Sequence, residues 1–301
     1  MPTNITLVQG IILKHNTLNI NKSTSVLKHL MYVLKAYTLK PIKHTNLNIF
    51  SNNKLYSCST DNTGAFTASI NTPLKDFDIY ISGNKTPLKT VQSYPTHFQH
   101  KDYKINVISD IDDTILVSYT AKIAKRIKTL LLTHPSKRKT IAYTKSLIDF
   151  FSKNDIGIYY LSKSESNFFQ LLTHFITHHN LPKGPLLLTP FLNFKQLLMS
   201  SKNKAYKITH LRLIFKNSPN QRFALIGDDS QKDLEVYYQI AKEYPEQVLK
   251  IYIRITNDHI NKKQNDIRNK YQNLQVPVTY FKTQDEIDLD NELQQLIQNL
   301  P

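Results

Sequence analysis

The feature that most constrains the fold of this chain is a series of short, continuous apolar runs in its second half. Five such runs alternate with helix-length amphipathic segments: KINVIS (104–109), IGIYYL (156–161), PLLLT (185–189), FALIG (223–227) and VLKIYI (248–253). Strands buried on both faces read as continuously apolar, so the alternation predicts a parallel α/β sheet covered by helices on both sides. Because such sheets bind ligands at the carboxyl ends of their strands, functional residues are expected directly after these runs.

The first hundred residues have a different pattern of apolar and polar residues. Short alternating runs are separated by turn signals such as Asp61–Gly64, where glycine permits the positive φ of a hairpin. This spacing predicts a small antiparallel β-sandwich, while residues 27–37 fit either a helix or a strand. We therefore expect an all-β domain over residues 1–100, a linker at 93–102, and an α/β domain over residues 101–301.

Composition excludes several classes of protein. None of the six glycines is spaced to form a G-x-G-x-x-G or Walker-type loop, which argues against a glycine-cradled nucleotide. A single cysteine, Cys58, rules out thiolate zinc sites and disulfide scaffolds and fits a reducing compartment. The chain has neither a basic segment before an apolar core nor a run near the roughly 20 apolar residues of a spanning helix. We expect a cytoplasmic protein whose net charge of +16 favours anionic partners.

Carboxylates follow the first and the fourth apolar runs. Three of the four residues 110–113 are aspartates, which repel one another unless a cation or a shared proton offsets them. Mg²⁺ is the expected counter-charge, and Asp228 and Asp233 bring further carboxylates to a second strand end. The alternatives are a solvated acidic turn and a calcium loop, but an EF-hand would need glycine and glutamate where the chain has Ile115 and Ala121.

Two more polar residues are predicted at the same edge of the sheet. Ser162 follows the second run, and Lys207 opens the helix before the fourth. A carboxylate nucleophile, a metal, a hydroxyl and an ammonium group together suit phosphoryl transfer. The alternative for Lys207 is an exposed lysine at a helix start.

These motifs resemble those of the haloacid dehalogenase superfamily: a D-x-D-x-T pattern at Asp110–Thr114, then Ser162, Lys207 and a G-D-x-x-x-x-D pattern at Gly227–Asp233. More narrowly, residues 104–256 are similar to the catalytic domain of the actin-patch-type, Mg²⁺-dependent phosphatidate phosphatases. The layout is also similar to that of a bacterial-type member with an N-terminal sandwich. The resemblance implies a Rossmann-like sheet. The short segment between the third apolar run and Lys207 leaves no room for a large cap domain.

The resemblance and the chemistry of these groups imply a role for each residue. Asp110 attacks phosphorus and forms an aspartyl-phosphate, and Asp112 protonates the leaving alkoxide and then activates water. Lys207 offsets negative charge. Ser162 orients the phosphate, and Thr114 holds the loop.

The implied metal is Mg²⁺. Its expected ligands are a side-chain oxygen of Asp110, the backbone carbonyl of Asp112 and the carboxylate of Asp228. Asp233 completes the metal site by supporting its shell.

Residues 115–155 predict a helical flap over an open site. This segment is rich in lysine and has an aliphatic stripe, which favours contact with an anionic membrane surface. Lys122, Lys125, Arg126 and the more distant Ser164 are the expected substrate-binding residues. The alternative is a solvated basic face whose aliphatic stripe covers the sheet.

The chain departs from the family pattern at two positions: Glu165 replaces a proline after the Ser-x-Ser motif, and Asp229 adds a carboxylate. The leading hypothesis is an Mg²⁺-dependent phosphatase that converts phosphatidate to diacylglycerol, with the N-terminal domain docking to a membrane or partner. A phosphatase acting on nucleic-acid ends or another large phosphorylated substrate is the alternative. A binding protein without turnover is the third.

Overall fold

The computed structural model of the protein describes residues 6–14, 25–74, 76–98, 104–116, 133–191, 205–229, 233–256, 262–282 and 288–298. In its first part, short strands surround one helix. These elements are β1 (Thr6–Ile11), α1 (Val26–Ala36), β2 (Asn46–Ser51), β3 (Lys54–Ser59), β4 (Ala65–Ile70) and β5 (Asp78–Ile81).

The N-terminal strands form two small antiparallel sheets that share one apolar core. β1 pairs with β4, and β2 pairs with both β3 and β5. Buried Val8, Leu47 and Phe66 bring side chains from both sheets into this core. The turn at Asp61–Gly64 is present, with Gly64 at φ +78°, a conformation that glycine adopts without strain. The predicted antiparallel β-sandwich is therefore confirmed.

The segment that fits either a helix or a strand in sequence is helical. Residues of α1 at four- and three-residue spacing, His29, Val33 and Ala36, are buried, as expected of one face of a helix. That face packs against the second half of the chain, because Val33 belongs to a cluster with Phe168 and Leu171.

The second part of the chain alternates strands and helices. In order, these are β6 (Ile105–Asp110), α2 (Ala142–Lys153), β7 (Gly157–Glu165), α3 (Phe169–His178), β8 (Leu186–Thr189), α4 (Ala205–Asn217), β9 (Arg222–Asp228), α5 (Asp233–Glu243), β10 (Val248–Arg254), α6 (Lys262–Tyr271), β11 (Val278–Phe281) and α7 (Leu289–Gln298). The six strands form one parallel sheet in the order β11-β10-β9-β6-β7-β8.

Helices cover both faces of this sheet. On one face, α2, α3 and α7 pack through residues such as Leu147, Phe175 and Leu296. On the other, α4, α5 and α6 pack through residues such as Phe215 and Tyr237. The predicted Rossmann-like parallel sheet is confirmed, and β6 lies at its centre between β9 and β7. The strand ends that carry the predicted site are therefore adjacent.

The structure adds three elements that the sequence pattern did not predict: α6, β11 and α7. Among the described residues, every helix is too short or too polar to cross a lipid bilayer. The division at residue 100 stays a prediction. The predicted flap residues Lys122, Lys125 and Arg126 lie outside the described residues.

Candidate active site

A tight turn carries the aspartates that follow β6. The carbonyl of Ile111 accepts hydrogen bonds from the backbone N–H groups of Ile115 and Leu116, each at 2.9 Å. Asp113 takes a positive φ of 57° inside this turn, and its carbonyl accepts a hydrogen bond from Arg254 Nη1 at 2.7 Å. The turn thereby keeps Asp110, at the end of β6, buried at the carboxyl end of the sheet.

Three carboxylates meet at this edge. Oxygens of Asp110, Asp228 and Asp233 lie within 4.8 Å of one another, and all three residues are buried. The hydroxyl of Thr114 lies 3.4 Å from Asp110 Oδ2 and 3.4 Å from Asp228 Oδ2, so it links the two strand ends. The acidic ends of β6 and β9 therefore share one site.

The donor set of this triad fits a divalent cation. Carboxylate oxygens are the ligands that Mg²⁺ and Ca²⁺ prefer, and three buried carboxylates in contact repel one another unless positive charge offsets them. In the part of the chain that the structure describes, Asp233 Oδ2 is buried and has no hydrogen-bond partner. A cation at the triad, or water bound to that cation, would satisfy this oxygen.

Lys207 supplies positive charge from the first turns of α4. Its side chain is 1% exposed, and Nζ donates to Asp110 Oδ1 at 2.7 Å and to Asp233 Oδ1 at 2.6 Å. The alternative of an exposed lysine at a helix start is therefore wrong. The ammonium instead orients the carboxylate of Asp110 from inside the protein.

Burial and charge shift the titration of these groups in different directions. Burial raises the pKa of Asp110 well above its ordinary value, against the opposing effect of Lys207. Burial alone would also raise the pKa of Asp233, but Lys207 and Lys163 outweigh it and the pKa falls. Burial lowers the pKa of Lys207, but the two carboxylates outweigh it and the pKa rises. Lys207 therefore stays protonated at neutral pH.

Asp112 is held by two hydroxyl groups from β7. Ser162 Oγ donates to Asp112 Oδ2 at 2.8 Å, and Ser164 Oγ donates to the same oxygen at 3.1 Å. The backbone N–H of Ser164 in turn donates to Ser162 Oγ at 3.0 Å. Both predicted serines thus contact the predicted acid–base residue, and their contacts fix which way its carboxylate faces.

Two cations near the site were not singled out by the sequence analysis. Arg138 is buried; burial lowers its pKa to about 10, and the negative charge of Asp112 opposes that shift. Lys163 lies between the two serines, with Nζ 3.5 Å from Asp233 Oδ1. The position of Lys163 inside the Ser-x-Ser motif could have identified it, whereas Arg138 is one of seven basic residues between positions 122 and 139 and has no motif of its own.

The extra carboxylate at Asp229 faces away from the triad. Its Oδ1 accepts hydrogen bonds from the backbone N–H of Thr256 at 2.8 Å and from the Thr256 hydroxyl at 2.6 Å, and its Oδ2 pairs with Arg268 at 3.1 Å. These partners occupy the carboxylate in fixing the loop after β9. The departure from the family motif therefore adds a structural contact rather than a fourth member of the triad.

Gly227 lets helix α5 approach the end of β9. A Cβ atom at this position would lie 2.6 Å from the ring of Tyr237 and 3.1 Å from Asp233 Oδ2. The Tyr237 hydroxyl donates to the carbonyl of Ile226 at 3.0 Å, which holds the ring there. The glycine is therefore needed for the position of Asp233.

Comparison with known proteins gives this arrangement a family. The model of the family described as "Phosphatidate phosphatase APP1, catalytic domain" matches residues 105–255, which are half of the chain and contain the carboxylate triad, Asp112, the two serines and Lys207. The chain belongs to this family. The family predicted from the four sequence motifs is therefore confirmed.

Two curated fungal proteins resemble the chain. Phosphatidate phosphatase APP1 of Saccharomyces cerevisiae is 29% identical over 219 residues, which are 68% of this chain and 36% of the yeast protein. An uncharacterized protein of Schizosaccharomyces pombe is 25% identical over 168 residues, covering 55% of this chain and 28% of that protein. The chain thus spans about a third of the length of the curated relatives it matches.

Similarity to solved structures is weaker. The class C acid phosphatase of Bacillus anthracis aligns with a TM-score of 0.31 at 15% identity, over 58% of this chain and 81% of that chain. A similarity at this level adds nothing to the family assignment.

Proposed function

We propose that the protein is a metal-dependent phosphatase that converts phosphatidate to diacylglycerol and inorganic phosphate. The observation that carries the proposal is the contact of Lys207 with Asp110 at 2.7 Å, inside a triad of buried carboxylates. A buried carboxylate that is oriented by an ammonium group and placed beside a cation site is suited to attack a phosphate. Membership of the APP1 catalytic-domain family supports the choice of substrate.

The first step transfers the phosphoryl group to the protein. The carboxylate of Asp110 attacks phosphorus, a new oxygen–phosphorus bond forms, and the bond from phosphorus to the lipid alkoxide breaks. Asp112 gives its proton to that alkoxide, which leaves as the hydroxyl of diacylglycerol. The hydroxyls of Ser162 and Ser164 hold Asp112 in place for this transfer.

The second step regenerates the protein. Asp112, now a carboxylate, takes a proton from water as the water oxygen attacks phosphorus. The bond between phosphorus and Asp110 breaks, and inorganic phosphate is released. Lys207 keeps the carboxylate of Asp110 in the same orientation throughout, because its second contact, to Asp233 at 2.6 Å, fixes the ammonium group.

Mg²⁺ is the proposed cofactor. Asp110, Asp228 and the backbone carbonyl of Asp112 would hold it, with Asp233 supporting the site through its hydrogen bond to Lys207. The cation would offset the negative charge of the phosphate as the nucleophile approaches. The roles assigned to the flap residues, and the cytoplasmic location, stay predictions.

The proposal is tested by phosphate release from phosphatidate in detergent micelles, with Mg²⁺ and with EDTA. Asp110→Asn should lower turnover by at least about 10³-fold, because it removes the nucleophile. Asp149→Asn is the matched control, since Asp149 forms a half-exposed pair with Lys145 on α2 and should leave turnover unchanged.

Two results would contradict the proposal. One is an Asp110→Asn variant as active as the wild type, which would exclude an aspartyl-phosphate on this residue. The other is release of phosphate from oligonucleotide ends but not from phosphatidate, which would replace the substrate class.

A further inference from the structure

Helix α1 exposes an apolar stripe to solvent. Leu27 is 66% exposed, Met31 49% and Leu34 47%, and these positions are spaced four and three residues apart. Residues with this spacing lie on one face of a helix. Four of the seven exposed large apolar side chains in the described part of the protein belong to this single helix, since Val26 is also exposed. Such a concentration on one element marks an interaction surface.

The opposite face of α1 is fixed to the catalytic part of the protein. Val33 packs with Phe168 and Leu171, and Asn167 Nδ2 donates to the carbonyl of Ala36 at 2.9 Å. The hydroxyl of Tyr32 also donates to Gln170 on α3 at 3.3 Å. The helix therefore presents its apolar stripe from a rigid position.

That position is close to the active site along the chain. Asn167 and Phe168 lie in a 3₁₀ helix that directly follows β7, and Asn167 comes only three positions after Ser164 in sequence. A separation of three residues spans at most about 10 Å. Helix α1 is thus anchored at the same edge of the sheet as the hydroxyls that hold Asp112.

The surroundings of the stripe are basic. Lys28 and Lys35 are exposed on α1, and the first 60 residues contain seven lysines and neither aspartate nor glutamate. An apolar helix face beside lysines complements an anionic lipid surface, because the apolar side chains enter the interface and the ammonium groups meet the headgroups. A protein partner with an acidic rim would also complement the lysines, but it would not account for an apolar stripe beside a site for a lipid headgroup.

We propose that the outward face of α1 binds the surface of an anionic lipid bilayer and holds the active site over phosphomonoester lipids in that bilayer. The second half of this statement rests on the proposed function. The choice of a bilayer over a protein partner rests on it too, but binding is measured separately because it requires no turnover. Leu27, Met31 and Leu34 enter the interface, and Lys28 and Lys35 contact the headgroups.

Sedimentation with vesicles tests the binding. Vesicles of phosphatidylcholine and phosphatidylserine carry negative charge but no phosphomonoester, so the active site has no substrate in them. Replacing Leu27, Met31 and Leu34 together by glutamine, which preserves helix propensity, should lower the vesicle partition coefficient by at least about 100-fold. Lys28→Gln and Lys35→Gln should each lower it by about fivefold on these vesicles and leave it unchanged on pure phosphatidylcholine.

Leu55→Gln is the matched control. Leu55 is 60% exposed, similar to Leu27, but it lies on β3. Its replacement should leave binding unchanged.

Fluorescence provides a second measurement that does not depend on the glutamine variant folding. The chain contains no tryptophan, so Met31→Trp places a single reporter on the stripe. Its emission should shift to the blue when phosphatidylserine vesicles are added, because the indole leaves water. The emission of Leu55→Trp should not shift.

Three outcomes would overturn the proposal: no vesicle binding by the wild type, unchanged binding by the triple glutamine variant, or no blue shift of Met31→Trp. Concentration-dependent dimerization that the triple variant abolishes, without vesicle binding, would instead assign the stripe to a second copy of the chain. Failure of the proposed function has a separate signature. In that case vesicle binding would still require α1, while neither membrane-embedded nor water-soluble short-chain phosphatidate would be hydrolysed.

Discussion

Replacing Lys207 by methionine removes the cation from a buried cluster of carboxylates. The ammonium lies 2.7 Å from Asp110 Oδ1 and 2.6 Å from Asp233 Oδ1. At an effective dielectric constant of about 20, each contact corresponds to roughly 6 kcal/mol of direct attraction, most of which is offset by the cost of burying the charges. Removal of one partner from such a buried group typically costs about 3–5 kcal/mol. Methionine fills a similar volume, so loss of charge dominates the effect.

The cost should be measurable in both stability and activity. In the absence of divalent cations, the Tm of Lys207→Met should fall by roughly 10 °C, as measured by calorimetry. Turnover of phosphatidate should fall by about 10²–10³-fold, since Asp110 loses the group that orients it. Lys145→Met is the control: Lys145 pairs with Asp149 at the half-exposed surface of α2, and its loss should shift the Tm by no more than about 2 °C.

Two results would refute this reasoning. A Tm for Lys207→Met within about 2 °C of the wild type would show that the buried ammonium contributes no net stability. A fall in Tm with unchanged turnover would show that Lys207 supports the fold and does not act on the nucleophile.

Three further predictions concern the same site. Mg²⁺ should raise the Tm of the wild type, since a ligand at 100 times its Kd stabilises by about 2.7 kcal/mol; Asp228→Asn should abolish the rise in a thermal scan, and an equal rise in both proteins would exclude Asp228 as a ligand. Ser164→Ala removes one of the two β7 hydroxyls that donate to Asp112, so kcat should fall by about tenfold; an unchanged kcat would make Ser164 dispensable for holding Asp112. Arg138→Gln removes a buried positive charge that acts on Asp112, so kcat should fall while the Mg²⁺ dependence of Tm is unchanged, and a loss of Mg²⁺ binding instead would assign Arg138 to the metal site.

The α/β sheet could be predicted because strands buried on both faces leave continuous apolar runs in the sequence. The C-terminal elements leave no such signal: Tyr271 is the only buried residue of α6, and β11 has four residues. The sequence of α1 is compatible with either a helix or a strand because Leu27 and Met31, on the outward face of the helix, are apolar as well. Apolar residues on both faces obscure the helical period.

The sequence could predict those site residues that lie at the ends of strands, but not those that other parts of the chain bring to the site. Asp110 and Asp228 are the last residues of two strands that pair in parallel, so their convergence follows from the topology. Arg138 reaches Asp112 from a loop, and no periodic pattern marks a loop residue. The direction of Asp229 is set by Arg268, 39 residues further along the chain, so local sequence does not contain that information.

The packing of α1 has a consequence for any attempt to study the two halves separately. A fragment that begins near residue 100, where the sequence pattern changes, would lack this helix and leave Phe168 and Leu171 uncovered. Such a fragment would tend to aggregate through these side chains. If such a fragment were inactive, the cause would be the apolar surface that truncation exposes. The result would not test the chemistry of the aspartates.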